Sequence, residues 1–168
     1  MLNVSFFEGV TFSTSAFAAQ YDNALSGILQ FDQRNGNNRN FKTNFRLSSS
    51  ESALTLEGPL FKGNNEASNT TFIASVRRSY LQFLFEVIDL PFLPDYWDYQ
   101  YKLSHQIDEY NEIMVTGIGS IDDFSINVPE DYDPEQQATL DQVPIIKQQT
   151  NTIGISWKKR NRYGRGFT

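Results

Sequence analysis

The chain has 168 residues, within the usual size of one domain, and 14 Lys+Arg against 20 Asp+Glu give it a formal net charge of -6. This negative balance argues against a nucleic-acid partner, because such a surface needs an excess of basic residues. The sequence contains no Cys, which excludes a disulfide scaffold, Cys-ligated zinc and thiol catalysis. A catalytic triad or an imidazole metal site would depend on the single His, His105, so we expect no enzyme activity.

The composition favours β-structure over helix. Aromatic residues make up 14% of the chain, with 14 Phe and 8 Tyr, whereas the hydrophobic total is 39%. No stretch approaches the roughly 18 consecutive apolar residues of a transmembrane helix, and the amino terminus lacks the basic and apolar regions of a secretory signal. Transmembrane β-strands are not excluded, because their alternating residues give no continuous apolar run.

The first 38 residues predict a small piece that is separate from the rest of the chain. Leu2 to Phe7 is predicted as a short strand, and Ile28 to Gln33 as a second strand. Residues 10–20 are small and mixed in character. The second strand ends at the turn-forming run from Arg34 to Asn38, which we interpret as the start of a polar linker.

Six segments in the remainder alternate apolar and polar residues, which is the pattern of β-strands with two unlike faces. They are 41–47, 53–60, 70–80, 96–107, 112–124 and 148–158. We predict an antiparallel meander in which the following residues share one face: Phe45, Leu56, Val76, Tyr101, Val115 and Ile155. A short helix is predicted from Leu81 to Ile88, because apolar residues recur there at helical spacing and Pro91 follows.

The connections between these segments alternate in length. We predict that long loops at 81–95 and 125–147 leave one end of the sheet, and that short turns around Gly63 and Glu109 leave the other. Residues 127–142 are rich in Asp, Glu and Pro and are interpreted as a solvated loop. This alternation is typical of up-and-down outer-membrane barrels, in which one rim carries the short turns.

Several motifs, taken in order along the chain, resemble TonB-dependent outer-membrane receptors. The stretch Ser5-Phe6-Phe7-Glu8-Gly9 and the stretch from Ala18 to Phe31 are similar to the end of that family's plug domain. Three later stretches are similar to its first barrel strands: Leu54 to Leu60, Ile73 to Leu81 and Gly117 to Phe124. Each motif is short, but their order covers nearly the whole chain.

The resemblance implies a two-part organisation. Residues 1–38 would be the carboxy-terminal part of the plug domain, and residues 39–168 about the first six strands of an incomplete transmembrane β-barrel. Receptors of this family have 22 strands, which at roughly ten residues per strand plus loops require several hundred residues. We therefore interpret the chain as a piece of such a receptor, without its signal peptide or its TonB-coupling segment.

The function implied by the resemblance is energy-coupled uptake of a bulky nutrient, such as an iron chelate, cobalamin or a glycan. The location would be the outer membrane of a Gram-negative cell. The partners would be the nutrient, outer-membrane lipid and, through the intact receptor, the TonB energy-coupling complex. We expect neither nucleic-acid binding nor a cofactor, and the piece alone would transport nothing.

Three charged residues are candidates for contact with the plug or with the barrel lumen: Arg77, Arg46 and Glu57. Arg77 and Arg46 fall on the polar positions of their segments. For Arg77, hydration in a solvated lumen is the favoured alternative to a plug contact.

Aromatic residues at the start of the fourth alternating segment are candidates for a membrane interface: Tyr96, Trp97 and Tyr99. Packing in a soluble core is the alternative for them. His105 shares its predicted strand face with Leu103 and Ile107, so we interpret it as a structural or rim residue rather than a metal ligand.

The rival class is a soluble β-barrel or sandwich that binds a small ligand, for which six to eight strands suffice. Two features count against it: the alternating loop lengths, and the Arg and Lys residues on strand faces that would have to form an apolar lining. An enzyme is the third and weakest alternative.

Overall fold

The computed structural model describes residues 3–14, 21, 26–61, 67–87, 92–126, 146–163 and 166–168. The protein is all-β and antiparallel, as the alternating segments predicted. A two-stranded sheet pairs β1 (Phe7–Ser13) with β2 (Ile28–Gln33). A second sheet comprises β3 (Lys42–Leu47), β4 (Glu51–Pro59), β5 (Thr70–Ser79), β6 (Phe92–Gln106), β7 (Asn111–Ile126), β8 (Ile146–Arg160) and β9 (Gly166–Phe167).

The second sheet is a meander, because every strand pairs with the next strand along the chain. The six predicted segments correspond to β3 to β8. β6 begins at Phe92, earlier than the predicted start at residue 96. Pro94 therefore lies inside the strand, paired with Phe124. β5 pairs with β6 only from Trp97 onward. Pro94, which has no N–H to donate, therefore lies in a part of β6 that pairs with β7 but, among the described strands, not with β5.

The predicted short helix is present as α1 (Leu81–Val87), between β5 and β6. Tyr80, just before it, donates from its hydroxyl to the carbonyl oxygens of Ser48 and Glu51, which ties the end of β5 to the start of β4. No helix in the described part of the chain is long and apolar enough to span a membrane.

The strand register confirms the predicted common face. Partner residues in antiparallel strands point to the same side, and so do residues two apart in one strand. Following these partners across the sheet joins Phe45, Leu56, Val76, Tyr101, Val115 and Ile155 on one side. We call this side the apolar face and the opposite side the polar face.

The antiparallel order also confirms which connections share an end of the sheet. β5 and β7 end where β6 and β8 begin, and we call this the loop end. The connections between β4 and β5 and between β6 and β7 leave the opposite, or turn, end. Residues 62–66, 88–91 and 127–145 are outside the described residues, and so is the acidic loop predicted there.

The strand predicted from Leu2 to Phe7 is wrong in its bounds. Residues Val4–Phe6 form a turn of 3-10 helix, and the strand begins at Phe7 and continues to Ser13. The side chain of Asn3 accepts a hydrogen bond of 3.0 Å from the backbone N–H of Ser5. This local hydrogen bond competes with strand pairing, which is why the helical turn forms before the strand starts.

Glycines on the apolar face accommodate tyrosine rings from the neighbouring strand. Gly117 and Gly119 of β7 lie opposite Tyr101 and Tyr99 of β6. A methyl group added at Gly119 would clash with the Tyr99 ring and lie 2.7 Å from the backbone oxygen of Thr150. The close packing of ring on glycine therefore requires the missing side chain at this position.

We expect Gly119→Val to destabilise the sheet by about 1 to 3 kcal/mol, because the added atoms displace both the Tyr99 ring and the β8 backbone. Gly154→Val is the matched control, since nothing lies within 4 Å of a methyl group placed at Gly154. The measurement is thermal unfolding in detergent followed by circular dichroism. Equal melting temperatures for the two variants would contradict the packing argument.

The turn between β6 and β7 is organised by one carboxylate. Asp108 Oδ1 accepts hydrogen bonds from the backbone N–H of Tyr110 at 2.7 Å and of Asn111 at 2.8 Å, and from the Asn111 side chain at 2.9 Å. These bonds, with the Tyr110 N–H as the largest contribution, hold the pKa of Asp108 below its ordinary value.

This lowered pKa predicts a pH-dependent contribution to stability. Because the folded pKa of Asp108 is the lower one, the carboxylate stabilises the fold at neutral pH, and the contribution is lost as the pH falls through about 4 and below. Asp108→Asn keeps an acceptor oxygen without the charge. We expect wild type to melt above the variant at pH 7 and the gap to close towards pH 3. A gap that does not change with pH would refute this role.

Candidate functional site

In the seven-stranded sheet the apolar face is exposed and the polar face is buried. This is the reverse of a sheet in a water-soluble protein. Large apolar side chains are exposed on the apolar face, among them Phe45, Val76, Trp97, Ile121, Ile153, Ile155 and Trp157. Polar side chains are buried on the other face, among them Thr55, Glu57, Ser75, Arg77, Asp98, Gln100, Lys102 and Ser104. The contrast is large: Ile155 is 76% exposed, and Arg77 and Lys102 are each 6% exposed.

The amino-terminal part of the chain covers the polar face. We call residues 3–14 and 26–38 the covering segment. Asn3 donates from its side-chain amide to the hydroxyls of Thr55, at 3.2 Å, and of Ser75, at 2.5 Å. Phe6, in the same helical turn, is 1% exposed. The covering segment therefore contacts β4 and β5 through hydrogen bonds that its own helical turn positions.

The second contact between the covering segment and the sheet is an ion pair. Arg34 donates to the Glu57 carboxylate at 2.6 Å, and its guanidinium also donates to the backbone oxygen of Ser5 at 2.7 Å. The backbone N–H of Asn37 donates to the same Glu57 oxygen at 3.1 Å. Glu57 thus binds both a side chain and the backbone just after β2, and fixes where the segment turns towards β3.

Further along the polar face, β6 and β7 bind the same stretch of chain. Lys102 donates to the backbone oxygen of Gln33 at 2.9 Å. Ser104 donates to the side-chain oxygen of Asn35 at 2.9 Å, and the Asn35 amide donates to Glu112 at 2.8 Å. With Arg46 of β3, which donates to the Ser5 hydroxyl, five strands of the sheet, β3 to β7, therefore contribute hydrogen bonds to the covering segment.

Gly36 permits a close approach between the covering segment and β5. A methyl group added at Gly36 would overlap the backbone of Phe72. A glycine is therefore required where the segment crosses the strand. This contact explains why the stretch from Arg34 to Asn38, predicted as a turn, runs against the sheet.

The structure places the three charged candidates from the sequence on the polar face. Glu57 contacts the covering segment as described, and Arg46 donates to the Ser5 hydroxyl at 3.4 Å. Arg77 is buried and pairs with Asp98 at 2.5 Å and with Glu51 at 3.2 Å. Arg77 is therefore ion-paired rather than only hydrated, because carboxylates of β4 and β6 bind its guanidinium.

The three aromatic candidates do not lie on one face. Trp97 and Tyr99 are on the apolar face, whereas Tyr96 is on the polar face by strand alternation. The Arg77 guanidinium lies 5.9 Å from the Tyr96 ring centre. Grouping Tyr96 with an outer aromatic set is therefore wrong, because adjacent residues of a strand point to opposite sides.

His105 is exposed on the apolar face near the turn end, where its Nδ1 lies 2.8 Å from the Thr70 hydroxyl. Within the described ranges, no group of three or more His, Asp or Glu side chains could hold a metal ion. The residues that sequence reasoning missed are Asn3, Arg34 and Lys102. Their partners are distant in sequence, so no local pattern marks them.

An open cleft of about 1080 Å³ lies between the two sheets. One wall is formed by the covering segment, with Glu8 and Asp32, and the other by β6, β7 and β8, with Lys102, Glu112 and Lys158. Charges of both signs line it. The cleft therefore suits water or a polar occupant rather than an apolar one.

Comparison with protein-family models, with curated proteins and with solved structures finds no match to this chain.

We expect Arg34 and Glu57 to be energetically coupled. A double-mutant cycle with Arg34→Ala and Glu57→Ala should give a coupling free energy of about 1 to 2 kcal/mol, because the side chains are only 30% and 12% exposed. Urea unfolding in detergent measures it.

The control cycle uses Lys147 and Asp123, an ion pair whose side chains are 72% and 51% exposed. Solvent screening should reduce its coupling to below about 0.5 kcal/mol. Equal coupling in the two cycles would mean that the covering segment is not held by the Arg34 contact.

Proposed function

We propose that this chain is part of a TonB-dependent outer-membrane receptor: the end of the plug domain together with the first strands of the barrel wall. The observation that carries the proposal is the pairing of an exposed apolar face with a buried polar face. In a barrel wall the outer face contacts lipid, and the inner face contacts water or an enclosed domain.

The exposed apolar face is difficult to reconcile with a water-soluble monomer. Burying apolar surface contributes roughly 25 cal/mol per Å², and soluble monomers rarely expose contiguous apolar patches above a few hundred Å². Here exposed Ile, Val, Phe and Trp side chains extend from β3 to β8 on one side. Lipid would stabilise this surface as the protein interior stabilises the apolar side of a soluble sheet.

The dimensions of the apolar face also support the proposal. β6, β7 and β8 have 15, 16 and 15 residues, more than the roughly 9 to 11 that a tilted transmembrane strand needs. Trp97 lies opposite Ile121, and Trp157 lies opposite Ile113. The β7 stretch from Ile113 to Ile121 measures about 26 Å along the strand, so the two tryptophans would lie near opposite boundaries of a hydrocarbon layer.

In this proposal the covering segment is the part of the plug that adjoins the wall. Its contacts with Thr55, Glu57, Ser75 and Lys102 are polar, as expected for a domain enclosed by a barrel whose interior is polar. Energy-coupled uptake of a bulky nutrient, with the TonB complex as partner, would belong to the intact receptor. The polar face of the large sheet would be the surface to which the plug binds.

The alternative, a soluble ligand-binding barrel, requires an apolar interior around its ligand. The cleft of about 1080 Å³ between the two sheets is instead lined by charged residues, among them Lys102, Glu112 and Lys158. The apolar residues lie on the other side of the sheet. The arrangement therefore favours the receptor segment.

Two lysine substitutions at adjacent positions of β8 distinguish these functions. Ile153 is on the apolar face opposite Gly117, midway between the two tryptophan rows, whereas Thr152 is on the polar face. We expect Ile153→Lys to reduce insertion into lipid vesicles strongly, since a lysine facing the bilayer centre costs about 2 to 4 kcal/mol. Thr152→Lys should insert like wild type. Flotation with vesicles on a density gradient measures insertion.

A soluble barrel predicts the opposite result. Ile153 is 58% exposed, so in water a lysine there would leave the stability of the fold nearly unchanged and would improve solubility. Size-exclusion chromatography without detergent supplies a second test. We expect wild type to aggregate, because the apolar face and the unpaired edges of the sheet are open. A monodisperse monomer with a cooperative thermal transition would overturn the receptor proposal.

A further inference from the structure

The positive charge of the chain is concentrated near its carboxy terminus. Six of the 14 Lys and Arg residues follow residue 141, whereas none of the 20 Asp and Glu residues do. The rest of the chain is correspondingly acidic. Such an asymmetry within one domain produces a local field that attracts anions although the net charge is -6.

The fold brings part of this charge to the turn end of the apolar face. Lys159 is on that face, opposite Asn111, and Arg162 follows in the turn after β8. Both residues are exposed. No carboxylate of the described residues lies within 4.0 Å of either cation. Asp108, in the turn between β6 and β7, interacts with Lys159 electrostatically and offsets part of its charge without forming a direct ion pair.

Aromatic residues lie beside these cations, over Lys159 in space and next to Arg162 along the chain. The Lys159 ammonium lies 5.9 Å from the Trp157 ring centre, and the Phe167 ring meets Trp157 edge-on at 5.7 Å. Tyr163, in the turn beside Arg162, is 88% exposed. Exposed tryptophan and tyrosine beside lysine and arginine form the combination that binds the headgroup layer of a membrane.

The loop end of the same face is different. Its outward cations, Arg78 and Lys147, are each paired with a carboxylate at 3.3 Å, Asp95 and Asp123 respectively. Their charges are therefore compensated within the protein. The two ends of the apolar face thus share tryptophan, but the loop-end cations form direct ion pairs with carboxylates whereas Lys159 and Arg162 do not.

We propose that the turn end of the apolar face is a binding site for anionic phospholipid, in which Lys159 and Arg162 bind the headgroup phosphate and Trp157 lies at the boundary of the acyl chains. This inference rests on the proposed function, because it requires the apolar face to contact lipid. Each basic residue beside an anionic membrane surface raises binding roughly fivefold. Two such residues select phosphatidylglycerol over phosphatidylcholine.

The two tryptophans allow each end to be measured separately. Trp97→Phe leaves Trp157, at the turn end, as the one tryptophan, and Trp157→Phe leaves Trp97, at the loop end. Each variant is inserted into vesicles of phosphatidylcholine with 30% phosphatidylglycerol, with bromine on either one lipid or the other. Bromine quenches tryptophan on contact, so the quenching per brominated lipid reports which lipid is adjacent. Circular dichroism confirms that each variant retains its strand content.

We expect brominated phosphatidylglycerol to quench Trp157 at least about twice as strongly as brominated phosphatidylcholine, and the two lipids to quench Trp97 equally. Lys159→Gln with Arg162→Gln should remove the preference at Trp157. The matched control, Arg78→Gln with Lys147→Gln, removes the same charge at the loop end and should retain it. High salt should weaken the preference.

The outcomes separate this inference from the proposed function. Equal quenching of Trp157 by both lipids would refute the anionic site, while the receptor proposal would stand because the apolar face still contacts lipid. A preference that persists in the Lys159 and Arg162 double variant would also refute the site. If neither lipid quenches either tryptophan, the apolar face does not contact lipid and the proposed function itself is refuted.

Discussion

Buried polar groups require hydrogen-bond partners, and this requirement determines how the amino-terminal part of the chain lies on the sheet. The polar face buries carboxylates, amides, hydroxyls and basic groups together. The covering segment supplies their partners through Asn3, Arg34 and the backbone of Gln33 and Asn37. Among the described side chains one buried polar atom, Asp95 Oδ1, has no partner. A shifted segment that still covered the face would leave Glu57 and Lys102 buried without these partners.

The same requirement explains why the apolar residues lie outside. A strand has two faces, and once the polar set is used to bind the covering segment, the apolar set points the other way. The Arg77 pairs with Asp98 and Glu51 then lie on the buried polar face. The positions of Trp97 and Trp157 on the apolar face follow from the same alternation. The proposed lipid contacts therefore depend on polar bonds that form on the opposite side.

The strands could be predicted from sequence because a period of two is a local property, and it located β3 to β8 and the face shared by Phe45 and Ile155. The beginning of β1 could not, since the Asn3 side chain replaces strand pairing with a local hydrogen bond. Candidate contact residues Arg46 and Glu57 could be chosen from their polar positions. Their partners could not, because a pairing such as Arg34 with Glu57 depends on how the covering segment crosses the sheet.

The hydrogen bonds of the covering segment have a consequence for the order of folding. Neighbouring strands of the meander pair across short connections, so hairpins can form locally and early. Asn3 bonds residues 52 and 72 positions later, and Asn35 bonds one 77 positions later. These contacts close long loops and need β4 to β7 already in place. The covering segment precedes the sheet in the chain but therefore docks after it, and until then the polar face stays hydrated.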